Sequence, residues 1–349
     1  MKLLIVTQVV DETHPVLGFF CKWIEAFASD VDSIEVICLE KGAYTLPSNV
    51  TVHSLGKEIK VESRLVYMWR YVFLLWTLRK SYDSVFTHMN PEYTIGGYPV
   101  WFLLRKKVGM WYAHGTVSMR LRIATLMSRW VFTSTEGGFR IDTPKRKIVG
   151  QGIDVDMFSP GSVSELQTVR LVTVGRIGVI KNIQTLIGAC ALLKQQGISF
   201  VCTIVGAAVT AEEKVYEKKM KQLVESLQLQ QQVVFKGAVV YDDLPAILQS
   251  SDIFIQDGQT GSLDKALLEA LSVGLCVISS NEAFARIITD THLAYTFPKN
   301  DSKKLATSIQ QVLAMPLEQR VISSKKNRTS ISNNHSLATF TGKIVSEYT

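Results

Sequence analysis

The chain has 349 residues, enough for two domains of ordinary size, and its hydrophobic fraction of 47% excludes a disordered protein. Its net charge of +7 gathers between residues 105 and 147, where Arg105, Lys106, Lys107, Arg120, Arg122, Arg129, Arg140, Lys145, Arg146 and Lys147 are opposed in sequence only by Glu136 and Asp142. No RNA- or DNA-binding motif accompanies that surplus, so nucleic acid ranks below anionic lipid or a phosphorylated substrate as its partner.

The predicted elements begin with a strand over residues 3–9. The apolar run Met1–Val6 is too short for a signal peptide, and Asp11 and Glu12 stand where its cleavage region would be. After the loop 11–18, Phe20, Trp23, Ile24 and Phe27 recur at helical spacing. Residues 33–39 and 50–55 read as further strands, and this alternation starts a parallel sheet with crossover helices. Residues 65–79 are aromatic and apolar almost all round. Their charge-free run, Tyr71–Leu78, is far short of the ~20 residues of a membrane span. A helix buried against the sheet is the first expectation there. The alternative is a helix lying in a membrane surface, with Trp69, Trp76, Arg70 and Arg79 at the interface. Strands are expected at 83–90, 108–113, 130–134 and 147–152, with an aromatic helix at 93–104. The strand at 108–113 delivers His114 and Gly115 at its carboxyl end, where ligand-binding residues of such sheets gather, a structural histidine being the alternative.

Residues 152–164, with Pro160 and small polar side chains, have the composition of a linker. A second series follows: strand 170–174, helix 182–196, strand 199–205 ending in Gly206, helix 211–227, strand 233–236 and short helix 243–250. Strands at 252–256, 275–279 and near Ala294, a helix at 303–313 and a helix-prone tail complete it. The fold class is therefore α/β, two doubly wound domains in tandem. Cys21, Cys38, Cys190, Cys202 and Cys276 lie in apolar runs without metal-ligand spacing, which points to a reducing compartment and to no metal site.

Two stretches of the second half carry chemistry. Between the strands 252–256 and 275–279 sits a turn rich in Gly, Ser and Thr, then a helix expected to open at Ser262. Unpaired N–H groups at such a turn attract anions. Glu269 lies too far inside that helix to cap it, so its carboxylate either reaches a polar ligand group or is solvated. Earlier, Gly175-Arg176-Ile177-Gly178-Val179-Ile180-Lys181 follows a strand and precedes a helix. An arginine and a lysine there suit a diphosphate, one gripping oxygens bidentately and the other adding a point charge. The alternative is a solvated turn.

Val174-Gly175-Arg176 with Lys181, Ile204-Val205-Gly206, Val234–Gly237, Ser251–Phe254 and Leu268–Gly274 together resemble the second domain of retaining GT-B glycosyltransferases, the group 1 (family four) set that uses nucleotide sugars. The first half is similar more loosely, through His114 and through Gly152–Asp154 and Phe158–Pro160. The resemblance implies two Rossmann-like domains facing across a cleft. An acceptor-side domain would cover 1–158, with the terminal helix, about 331–349, packing back onto it, and a donor-binding domain would cover 159–330. Arg176 and Lys181 would hold the donor's diphosphate, Glu269 its ribose, and the segment around Val239 would lie beside the base. The loop ending at Gly18 would approach the phosphate and His114 would contact the transferred sugar. Gly206, Ser262, Leu263, Asp264 and Lys265 complete the implied donor-binding set. The family transfers without a metal or cofactor, by same-face attack in which the leaving phosphate helps to take the acceptor's proton. The implied partners are a nucleotide sugar donor, a carbohydrate or polyprenyl-linked acceptor and an anionic membrane surface. The implied location is cytoplasmic, peripheral on the inner face of the membrane.

One position departs from that pattern. The family carries two glutamates eight positions apart, and the first would fall at Gly261. Asp264 is the candidate substitute, with Lys265 adding charge near the phosphates. An active transferase is expected because His114, Arg176, Lys181 and Glu269 are all present. The rivals are a catalytically lapsed GT-B-like partner subunit and a sugar-nucleotide epimerase or phosphorylase on the same fold.

Overall fold

The computed structural model describes residues 1–161, 167–258, 263–285 and 294–349. They form two compact units, Met1–Gly152 with His335–Thr349, and Ile153–Asn334.

The first unit runs β1 (Lys2–Val10), α1 (Phe19–Asp30), β2 (Ser33–Lys41), β3 (Val50–Ser54), α2 (Arg64–Thr77), β4 (Ser84–His88), α3 (Pro91–Leu103), β5 (Lys107–Trp111), α4 (Met119–Met127), β6 (Trp130–Thr133) and β7 (Arg146–Ile148). Its seven strands are all parallel, in the order β3-β2-β1-β4-β5-β6-β7. Alternation along β1 supplies two cores. Leu3 and Ile5 pack with Phe20, Trp23, Phe27, Phe340 and Ile344, while Leu4 and Val6 pack with Tyr71, Leu75 and Trp101. The strand expected over 147–152 is only the short β7. Helix α4 was not anticipated, because its buried contacts are limited to Leu121, Ala124 and Thr125 and leave little periodicity to read.

Helix α2 departs from the first expectation of a buried helix. Only Tyr71 and Leu75 are buried, and Leu65, Met68, Trp69, Val72, Phe73 and Trp76 are exposed, Trp69 by 67%. These six recur every three or four residues and so form one stripe. A helix that is apolar all round can bury only the side that meets its sheet. The rings of Trp69 and Phe73 stack on each other at 5.6 Å instead.

The second unit runs β8 (Val169–Val174), α5 (Ile183–Gln195), β9 (Phe200–Val205), α6 (Ala211–Ser226), β10 (Val233–Gly237), α7 (Leu244–Gln249), β11 (Ile253–Gln256), α8 (Lys265–Ser272), β12 (Cys276–Ser279), α9 (Glu282–Ala285), β13 (Ala294–Thr296), α10 (Ser302–Leu313) and α11 (Leu317–His335). Its six parallel strands take the order β10-β9-β8-β11-β12-β13. The winding reverses between β8 and β11, and in open α/β sheets ligands bind beyond the carboxyl ends of the strands at that reversal.

The final helix, α12 (Leu337–Tyr348), belongs to the first unit and packs against α1. The units divide after Gly152 and again before His335, a few residues from the expected 158 and 331. Ile153, Phe158 and Ile331 account for the difference, since all three are buried in the core of the second unit around α8.

Candidate functional site

The loops that follow β8, β9 and β11 meet at the reversal point of the second sheet. Gly175 ends β8 with φ +146, and the side chain of Lys181 folds back over it, so that an added Cβ would lie 2.8 Å from Lys181 Cε. Gly206 ends β9 with φ +132, and a Cβ there would sit 1.9 Å from the Gly175 carbonyl oxygen. The two loops therefore touch backbone to backbone, which only glycine permits.

On the β11 side, Asp264 is the N-cap of α8, its Oδ1 accepting from the Ala266 N–H at 3.2 Å. The helix thus opens at Lys265 rather than at Ser262. Asp264 Oδ2 forms an ion pair with Lys181 Nζ and accepts from Gln256 Nε2 at 2.7 Å. Ser279 Oγ donates to Gln256 Oε1 at 2.8 Å, which fixes the amide so that its NH2 group points at Asp264. Beside this cluster Asp257 accepts from Ser280 Oγ and Asn182 Nδ2, both at 2.6 Å. Asn182, left-handed at φ +41, thereby ties the start of α5 to the end of β11.

Glu269, one turn along α8, is only 2% exposed. It is neither solvated nor alone. Tyr241 donates to its Oε1 at 2.7 Å, and Lys265 Nζ lies 3.9 Å from the same oxygen, 5.7 Å from the centre of the Tyr241 ring. Burial pushes the Glu269 carboxyl upward, against the opposing pull of Lys265 and Tyr241. Burial and the charge of Glu269 hold the Tyr241 hydroxyl well above its ordinary range, so it remains a donor. Burial brings Lys265 from 10.5 down to about 8. Between those two pH values the folded protein binds fewer protons at Lys265 than the unfolded chain does, so this lysine makes stability rise with pH across that window. In denaturant melts, wild type is expected to gain stability relative to Lys265→Met from about pH 8 to 10.5. A difference that stays flat would contradict a desolvated ammonium.

The other predicted residues are placed as follows. Arg176 is half-exposed, its guanidinium 3.7 Å from Glu213 Oε1, and Glu213 is itself held by the capping box of α6. Leu263 is buried among apolar neighbours, so its side chain serves the core. Val239 is half-buried against that same core. Ser262 and Gly261 lie outside the described residues. Gly18 and His114 belong to the first unit. Gly18 precedes α1 where a Cβ would come 2.5 Å from the Glu12 carbonyl oxygen. His114 is exposed beyond β5, its Nδ1 3.0 Å from Thr116 Oγ1. The structure thus brings Lys181 and Gly206, on loops after β8 and β9, beside Asp264, Lys265 and Glu269 at the start of α8 and within it, all at one sheet. Sequence reasoning missed Tyr241, Gln256, Asp257 and Asn182. Only Asn182 carried a local signal, as a residue that tolerates a left-handed turn directly before a helix. Among the described residues no group of three His, Cys, Asp or Glu side chains is placed to hold a metal ion.

The family described as glycosyl transferases group 1 matches residues 159–330. Over 177 residues the chain is 28% identical to the putative colanic acid biosynthesis glycosyltransferase WcaL of Escherichia coli (strain K12), covering 48% of this chain and 42% of that protein. It is 28% identical over 170 residues to the amylovoran biosynthesis glycosyltransferase AmsK of Erwinia amylovora, covering 46% and 40%. The chain therefore spans less than half the length of these curated relatives. The crystal structure of Anabaena Alr3699/HepE in complex with UDP superposes with a TM-score of 0.79 at 16% identity, covering 99% of both chains. Sucrose-phosphate synthase (tll1590) from Thermosynechococcus elongatus gives 0.80 at 14% identity, covering 100% of this chain and 98% of that one. At such identities the likeness establishes the fold, which is GT-B.

Proposed function

Because residues 159–330 of this chain match the family of group 1 glycosyl transferases, we propose that the protein transfers a sugar, with retention of configuration, from a nucleotide diphosphate sugar to a carbohydrate or lipid-linked acceptor in glycan synthesis. The observation that carries this is the meeting of Lys181 with Asp264 at the reversal point of the second sheet, with Glu269 one turn further along α8. The names of WcaL and AmsK, in colanic acid and amylovoran synthesis, support a glycan product. The UDP-glucose complex of HepE supports a nucleotide sugar donor.

The donor's diphosphate replaces Asp264 as the partner of Lys181, and Arg176 supplies the second cation. These two cations stabilise the charge that grows on the leaving diphosphate as the sugar–oxygen bond breaks, so no cofactor is assigned. Glu269, its Oε1 held by Tyr241, offers Oε2 to a ribose hydroxyl. Asp264, released from Lys181, takes the place of the carboxylate absent at 261. Asp264→Asn is therefore expected to slow transfer while free nucleotide diphosphate binds at least as tightly as to wild type. Asparagine keeps the helix cap but no longer competes for the ammonium. Parallel loss of binding and transfer would reduce Asp264 to a helix cap.

Thermal melting with a panel of nucleotide sugars tests the assignment, since a ligand at a hundred times its Kd adds about 2.7 kcal/mol. Stabilisation by none of the panel would sink it. Stabilisation without turnover would favour the lapsed partner subunit that Gly261 suggests.

The same reading attaches the protein peripherally to the inner face of a membrane. No helix among the described residues is long and apolar enough to cross one. Helix α2 instead offers six exposed apolar side chains, and residues 63–82 contain no acid but include Arg64, Arg70, Arg79 and Lys80.

A further inference from the structure

A cavity of about 390 Å3 opens in the first unit where the carboxyl ends of α3 and α4 meet the amino ends of β5 and β6. This is the edge of the sheet opposite to the one that carries His114. Arg105, Lys106, Lys107 and Arg129 line it, and none of its lining residues is a carboxylate. Lys106 donates to the Tyr82 carbonyl and Lys107 to the Tyr348 carbonyl, both of them neutral partners. Asp83 is the acid whose field reaches Lys106, and its own Oδ2 accepts from the Lys2 N–H at 3.2 Å. Arg129 lies over the Trp130 ring at 4.9 Å, and Arg105 is fixed just past α3 in a left-handed turn at φ +51. Four cations around one hollow repel each other unless an anion enters it.

The surroundings of the cavity favour one source for that anion. Phe102, Leu103 and Leu126, on the helix ends beside it, are 69%, 68% and 78% exposed. Helix α3 packs on α2, whose apolar stripe is open to solvent as well. A free phosphate ion would gain nothing from apolar neighbours, whereas a lipid carries its phosphate next to hydrocarbon.

We infer that this cavity binds the phosphate of an anionic lipid headgroup, with Phe102, Leu103 and Leu126 entering the acyl boundary. The inference rests on the peripheral attachment proposed above. The wild-type chain is expected to co-pellet with phosphatidylcholine vesicles containing phosphatidic acid far more than with phosphatidylcholine alone. Arg105→Gln combined with Arg129→Gln should weaken pelleting with the mixed vesicles by about thirtyfold, the effect of two well-placed arginines at a lipid surface. Arg122→Gln combined with Arg140→Gln removes the same charge away from the cavity and should cost much less. Equal losses in the two pairs would mean diffuse attraction only and would overturn the site. Soluble dihexanoyl phosphatidic acid should raise the melting temperature of wild type but not of the Arg105/Arg129 pair. If wild type pelleted with no vesicle yet kept that Arg105/Arg129-dependent shift, membrane attachment would fail while the headgroup site stood. An equal shift with inorganic phosphate, or no shift with the short-chain lipid, would overturn the inference.

Discussion

Lys181→Ala is expected to lower turnover by about a hundredfold or more, the range for losing one donor that stabilises developing charge, and Arg176→Ala by a similar factor. Both variants should remain folded. Arg176 is half-exposed with a single loose contact to Glu213. Without Lys181, Asp264 keeps Gln256 and the Ala266 N–H, so the cap of α8 survives. The loss should appear mainly in kcat, because the cations act most strongly as the diphosphate departs. Wild-type kcat/KM in both variants, measured with the donor that the melting panel identifies, would refute the diphosphate role.

The largest structural effect is expected from Gly206→Ala. A methyl group there would lie 1.9 Å from the Gly175 carbonyl oxygen, and the backbone, at φ +132, is one that alanine rarely adopts. Neither partner is a flexible side chain that could swing away. The Gly206 N–H donates to the Gly237 carbonyl at 2.8 Å and the Gly175 N–H to the Val205 carbonyl at 3.0 Å, so relief would disturb sheet edges on both sides. Backbone strain and overpacking together should cost roughly 3 kcal/mol or more. Denaturant midpoints and nucleotide affinity should fall together. A variant with wild-type values of both would show that the two loops do not need this approach.

The strand series was readable because most of the strands are apolar, with helical spacing between them, and these signals are local, whereas the polar β7, Arg146–Ile148, carries little of that signal. The positions of Arg176 and Lys181 in the segment after β8, and of Glu269 in the helix after β11, followed from the same series. What could not be read depends on residues brought together from far apart. Tyr241 stands 28 positions from Glu269, and nothing in either segment marks the hydrogen bond that keeps the carboxyl from solvent. Asn182 and Asp257 are 75 positions apart. Helix α2 failed for a different reason. Its composition is that of a buried helix on every side, and composition does not tell which side meets the sheet. Asp264 was legible as a charge near a helix start, but its ion pair with Lys181 is a fact of the folded loops alone.

The return of α12 to the first unit sets an order for synthesis of the chain. Phe340 packs against Trp23 and Trp111, and the Tyr348 hydroxyl donates to the Val85 carbonyl at 2.6 Å in the heart of that core. Burying such side chains stabilises by roughly 2 kcal/mol each. A ribosome releasing residues 1–152 therefore delivers a sheet with an open wound, and the wound stays open while 182 more residues, Ile153–Asn334, emerge and assemble their own unit. The domain begun first is finished last, and its bare aromatic surface needs shelter in the meantime. A chain stopped after Asn334 is expected to be cut by protease throughout its first unit while the second resists. Equal resistance of the two units would show that α12 is an ornament rather than a closing wall.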